Sequence, residues 1–204
     1  MSDVGIGGSG QEEPGEAFAV AERREVAEYA LLGLLREGPR HGYRLAAAFA
    51  PEGRLGVTLR LKMSQMYAYL RKLERQGLLL AHDELDAGSH RARRVFALTP
   101  QGERVFDTWL AEPVEATREV RLAFLIKLAF TLDDSVAAMA LIERQREATD
   151  RWLALQRSRA ARMTEDTPLA IARLTMRHRI LLSEATLTWL DETAAQFRSL
   201  TSQG

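Results

Sequence analysis

The chain of 204 residues balances 28 Lys and Arg against 28 Asp and Glu and contains no cysteine. That length suits one or two domains with a real core, and the lack of cysteine excludes disulfides, thiolate nucleophiles and cysteine-bound zinc. No apolar run approaches the about 18 residues of a membrane span, and the first residues lack the basic-then-apolar order of a signal peptide, so a cytoplasmic protein is expected.

Charge is unevenly distributed. Arg36 to Arg104 holds 13 basic and 7 acidic side chains, and the remainder holds 15 and 21. The first part leans towards phosphate binding, and arginine, the dominant cation, suits phosphate and base contacts; coding bias is the plain alternative. Residues 1–16 are Gly-rich and acidic and are expected to form a disordered tail. A helix is expected from Phe18 to Arg36, with Val26, Ala30, Leu31, Leu34 and Leu35 at helical spacing and Gly38-Pro39 ending it. A short helix follows over His41–Phe49, then a connection through Pro51, Gly53 and Gly56, long for a tight turn. The third helix spans Lys62–Gln76, with Met66, Leu70 and Leu73 inward and Gly77 beyond its end. Two strand-like runs, Leu78–Ala81 and Val95–Leu98, enclose a polar stretch suited to a wing. Thr99-Pro100 then reads as a cap followed by proline at the first helical position.

The second half shows no strand signal. Helices are expected over Val114–Phe130 (with Val120, Phe124 and Leu128 apolar), from a cap at Asp133 or Asp134 to Met163, and from Thr167-Pro168 to Ser199. The two long helices carry heptad stripes: Ala138, Leu141, Gln145, Ala148, Trp152 and Leu155 in one; Met176, Ile180, Ser183, Leu187, Leu190, Ala194 and Phe197 in the other. Such a stripe requires a partner helix, either its neighbour in the chain or a second subunit. Trp152, Leu155, Ile180 and Leu187 are the candidates for a dimer interface or an effector site between subunits.

The order of the first half resembles the PadR family of bacterial transcriptional regulators. The resemblance rests on Ala30-Leu31-Leu32-Gly33-Leu34-Leu35, on Gly38-Pro39 with His41-Gly42-Tyr43, and on Tyr67, Leu70, Leu73-Glu74 and Gly77-Leu78. Arg94 to Leu98 with Thr99 and Gly102 fits the wing strand and following helix, so the match runs over about residues 26–112. Glu184 to Leu190, with Trp189-Leu190-Asp191, looks like the dimerisation domain of longer PadR members and virulence activators. The resemblance implies a homodimer, usually a repressor, with its third helix in the major groove and its wing near the minor groove or phosphates. In some members aromatic compounds bind between the subunits. Where the family often has Ser-x-Gly-Thr-Leu-Tyr-Pro, this chain has Lys62-Met63-Ser64-Gln65-Met66-Tyr67-Ala68, which leaves the operator open.

The expected fold is mainly α: a winged helix-turn-helix of three helices plus a two-stranded wing over 17–112, then an all-helical dimerisation domain over 113–204. Gln65 is placed to pair with adenine, or is a solvated first-turn side chain. Ser64 bonds a phosphate or caps the helix. Lys62, Arg71 and Lys72 contact phosphates or form a solvated face. Tyr67 donates its hydroxyl to a phosphate while its ring packs. Arg91, Arg93 and Arg94 border the wing, with Arg91 or Arg93 the expected contact. His41 is a capping or packing residue, and Tyr43 a core or phosphate-facing one. The four histidines show no metal-ligand spacing and no nucleophile or nucleotide motif is present, so no enzyme, cofactor or metal is expected. The partners expected are duplex DNA, a second copy and a small-molecule effector; a winged-helix protein-interaction module is the alternative.

Overall fold

The computed structural model describes residues 25–85, 92–115, 119–163 and 170–201. The expected tail over 1–16, the stretch 18–24 of the first helix and the Thr167-Pro168 cap lie outside the described residues. Helix α1 (Val26–Arg36) leads into a two-residue strand β1 (Arg40–His41), then α2 (Gly42–Ala48) and α3 (Met63–Arg75). Strands β2 (Leu79–Leu85) and β3 (Ala92–Leu98) form a hairpin, followed by α4 (Pro100–Ala111). A π-helical turn (Val120–Phe124) runs into α5 (Leu125–Ala129), and two long helices complete the chain, α6 (Ser135–Ala161) and α7 (Ala170–Thr201).

Short-range chemistry explains most boundaries. The turn after α1 passes through Gly38 at φ 135 and that after α3 through Gly77 at φ 68, conformations that favour glycine. Thr99 Oγ1 accepts from the Gly102 N–H at 3.0 Å and donates to the Gly77 carbonyl at 2.8 Å, so one hydroxyl starts α4 and ties it to the end of α3. Asp134 Oδ1 accepts from the Ala137 N–H at 2.9 Å and starts α6. The long connection between α2 and α3 is held by Leu55, which is fully buried and donates its N–H to the Ala48 carbonyl at 2.9 Å.

The expected two-stranded wing is the β2–β3 hairpin, and the short β1 adds a third strand to its sheet. The three strands are antiparallel, in the order β1-β3-β2. Arg40 and His41 lie opposite Phe96 and Val95. The hairpin is also longer than expected. Glu84 faces Arg93 and Asp83 faces Arg94 across the ladder, and cross-strand opposite charges support strands whose composition reads as loop. Val114 is not helical either. Its N–H donates to Gln145 Oε1 at 2.7 Å and its carbonyl accepts from Gln145 Nε2 at 3.0 Å, which accounts for a fully buried glutamine on the α6 stripe.

Two cores meet at the segment 120–130. Leu31, Leu45, Met66, Leu70, Phe96, Phe106 and Ile126 belong to the first; Val120, Phe124, Leu128, Leu141, Ile142 and Leu190 belong to the second, with Val26 packed against both. Phe124 meets the Trp189 ring edge-on at 5.6 Å, and Phe130 meets Phe106 edge-on at 5.3 Å. The α6 and α7 stripes pack on each other, with Leu153, Met176 and Ile180 forming a third cluster at the far end and Leu187 against it. Ile180 and Leu187 are therefore directed at their own chain. Past Ala148 the stripe moves to Leu153 and Gln156, leaving Trp152 half-buried and Leu155 41% exposed. A straight helix has 3.6 residues per turn and drifts from a seven-residue repeat.

Lys127 lies 2% exposed beneath this junction. Its ammonium donates to the carbonyls of Trp109 and Glu112, at the C-terminal end of α4, and sits 4.7 Å from the Trp109 ring centroid. Burial pushes its pKa down to about 8, against a weaker opposing effect of Glu112. The unfolded chain, with an ordinary lysine near ~10.4, holds this proton over a window where the folded chain has released it. This group's contribution to stability therefore rises with pH between about 8 and ~10.5. Urea midpoints at pH 7.5, 9 and 10.5 check this: the wild-type chain should gain relative to Lys127→Met across that window, and parallel curves would contradict the assignment.

Candidate nucleic-acid interface

Helix α3 presents one continuous outer face. Ser64, Ala68, Arg71 and Arg75 are exposed at spacings of four, three and four residues, while Met66, Leu70 and Leu73 fill the core behind them. A groove of about 600 Å³ runs beside this face, lined by Ala68, Arg71, Glu74, Arg75 and Arg94. Arg94 reaches from β3 to Glu74, its Nη2 2.9 and 3.0 Å from the two carboxylate oxygens, and so ties the hairpin to α3. The outer face is cationic, and its helix is held from behind by packing and from the side by this ion pair.

The expected site residues divide between that face and other tasks. Lys62 precedes α3 and is exposed, and Ser64 is exposed in its first turn without capping it. Gln65 is exposed, but its Oε1 accepts from the Lys62 backbone N–H at 3.2 Å, so pairing with a base requires it to leave its own helix end. Arg71 lies on the outer face, joined by Arg75, which the sequence reading did not single out. Tyr67 is half-buried. A β-carbon at Gly42 would lie 2.3 Å from its hydroxyl oxygen, and its ring is tilted against Phe96 at 6.4 Å. It fixes α2 against α3 and β3.

Lys72 has a partner of its own. It points away from the outer face, and its Nζ lies 3.0 Å from Glu28 Oε1, a carboxylate with no exposed surface. The pair ties α3 to α1, and Lys72 neutralises a buried anion. Tyr69 lies on the same side: burial, then Glu25 and Glu28, hold its hydroxyl above the usual pKa.

A second cationic group gathers beside the sheet, towards the loop end of the hairpin. Tyr43 is 49% exposed and stacks on His41 at 5.6 Å. Arg44 Cζ is 5.7 Å and Arg93 Cζ 5.8 Å from its ring centroid. Tyr43 is thus a surface platform and not a core residue, and it gathers Arg44, unremarked in the sequence, with Arg93 of the wing. Arg91 lies outside the described residues. Among the described residues no group of His, Asp and Glu is arranged to hold a metal, and no helix is long and apolar enough to cross a membrane.

Comparison with known proteins gives the following. The family model described as "Transcriptional regulator PadR-like family" matches residues 31–108, and that described as "Virulence activator alpha C-term" matches residues 120–198. The negative transcriptional regulator PadR of Bacillus subtilis (strain 168) is 26% identical over 178 residues, 83% of this chain and 96% of that protein. The crystal structure of Bacillus subtilis PadR in complex with operator DNA aligns at 24% identity and a TM-score of 0.44, covering 86% of this chain and 99% of that one. The complex of the same protein with p-coumaric acid aligns at 24% identity and a TM-score of 0.39, covering 85% and 99%.

Removing one partner of a buried ion pair leaves the other charge uncompensated, at a cost of about 3 kcal/mol. Lys72→Ala should therefore lower the urea midpoint by an amount corresponding to that figure. An unchanged midpoint would mean that Glu28 has no need of its partner.

Proposed function

The chain belongs to the PadR-like family of transcriptional regulators, and from that premise we propose that it is a homodimeric repressor that binds operator DNA in the cytoplasm. The observation that carries this reading is the outer face of α3, with Arg71 and Arg75 in line above a helix anchored to the core and Arg94 beside them. Two such helices, one from each subunit, enter successive major grooves about one duplex turn apart. Arg71, Arg75 and Lys62 supply the salt-sensitive affinity, and Ser64 and Gln65 select bases once Gln65 leaves the Lys62 N–H. Arg93 and Arg44, gathered on Tyr43, address the phosphates or minor groove beside the wing.

The relatives support the same reading. The Bacillus subtilis protein is named a negative transcriptional regulator, and its structures are described with operator DNA and with p-coumaric acid. Repression by occupancy of a promoter, relieved by a small-molecule effector, follows by analogy for this chain. The proposal assigns it no catalysis, cofactor or metal.

Each phosphate neutralised adds about −0.9 to the slope of log affinity against log salt. Arg71→Ala with Arg75→Ala should weaken binding to specific and scrambled duplexes alike and flatten that slope by about 2. Fluorescence anisotropy across a salt series measures it. A slope equal to that of the wild-type protein would remove the outer face of α3 from the DNA.

A further inference from the structure

The chain ahead of α1 carries charge of one sign. Residues 1–22 hold five carboxylates, Asp3, Glu12, Glu13, Glu16 and Glu22, and no lysine or arginine. This stretch joins the described fold at Glu25, and that point lies beside α3. The Glu28 N–H donates to the Glu25 carbonyl at 2.9 Å, and the Glu28 carboxylate lies 3.0 Å from Lys72 Nζ of α3. Burial, then Glu25 and Glu28 in turn, hold the Tyr69 hydroxyl of the same helix above its usual pKa. The acidic chain therefore arrives one turn away from the flank of α3.

What it meets there is uncompensated cation. Arg71 and Arg75 are exposed one turn apart on the outer face, a like-charge spacing that costs the helix stability. Among the described residues neither has an ion-pair partner, while the cations beside them are taken, Lys72 by Glu28 and Arg94 by Glu74. The two guanidinium groups line the groove of about 600 Å³ next to Ala68. Reach is not limiting. The 13 residues of α3 measure about 20 Å, and the nine residues from Glu16 to Glu25 span up to about 30 Å when extended. A tethered segment of this kind competes at an effective concentration on the order of millimolar.

We propose that the acidic segment over residues 3–16 covers the outer face of α3 on its own chain when no DNA is bound, with Glu12, Glu13 and Glu16 paired to Arg71 and Arg75, and that duplex has to displace it. The inference rests on the DNA-binding reading above and names a regulation of that same face. Each phosphate that meets Arg71 or Arg75 then replaces a carboxylate of the protein, so the segment lowers affinity and removes part of its salt dependence. It reads no base, so every duplex loses affinity by the same factor. Weak non-specific sites then empty first, and a specific site keeps its surplus.

The test uses the full chain with Asp3→Asn, Glu12→Gln, Glu13→Gln and Glu16→Gln, which keeps the length and removes the charge. In fluorescence anisotropy at low salt this variant should bind duplex from upstream of its own coding sequence, and a scrambled duplex, about fivefold more tightly than the wild-type chain, the worth of two exposed ion pairs. The gain should shrink as salt rises. A second readout needs no DNA. Because the chain contains no cysteine, Gly10→Cys carries a single spin label. In the free protein that label should broaden the amide signals of Ala68, Arg71 and Arg75, and the same label in the neutralised chain should leave them sharp. Tighter binding without broadening would mean plain repulsion between the segment and DNA and would overturn the docking. Neither change would overturn it as well. Broadening in a chain that binds no duplex, neutralised or not, would keep the segment on α3 and overturn the DNA-binding reading instead.

Discussion

Phe124 and Ile126 are two residues apart and belong to different cores. Phe124 packs edge-on against Trp189 of the helical arm, and Ile126 lies among the side chains that support α3. The segment between and around them, like Val26, packs into both cores. Directly beside them Lys127, buried and charged, closes the C-terminal end of α4. A buried ammonium is tolerated only where fixed acceptors replace water, and here two otherwise unpaired helix-end carbonyls meet that need. The winged-helix half and the arm are therefore joined by packing and hydrogen bonds. The geometry of the arms in a dimer would then set the spacing of the two α3 helices.

The outer face of α3 illustrates a division of labour. Its inner side is apolar and fully buried, one flank is tied to α1 by Lys72 and Glu28, and the other is tied to β3 by Glu74 and Arg94. These contacts remove cations and carboxylates from circulation at the flanks and leave Arg71 and Arg75 at the front. The first turn is the adaptable part. There Gln65 bonds a backbone N–H that a helix start would otherwise leave unpaired, so in the proposed complex engaging a base would exchange one hydrogen bond for others, and would favour sequences offering the glutamine a bidentate partner.

What could be read in the sequence was local. Thr99-Pro100, Asp134 and the glycines at 38 and 77 act within a few residues of themselves, and the structure uses them as caps and turns. The inner face of α3 followed from its periodicity. Features that depend on distant partners stayed hidden. Two residues, Arg40 and His41, become a strand only because β3 lies alongside. A lysine within an apolar segment reads as solvated, and only the end of α4 reveals Lys127 as a cap. Lys72 reads as a surface cation until Glu28, 44 positions earlier in the sequence, is found buried beneath it. The heptad stripes of α6 and α7 were visible, but periodicity names no partner. The structure assigns Ile180 and Leu187 to contacts within one chain and leaves the opposite side of α7 exposed.

As the proposed regulator, this chain reads duplex DNA. The most direct test is fluorescence anisotropy of the purified full chain with duplex from upstream of its own coding sequence and with a scrambled duplex, over a salt series. A regulator of this kind should prefer the native duplex at every salt concentration and lose affinity steeply as salt rises. Equal, salt-insensitive binding to both duplexes, or none at low salt, would contradict that role.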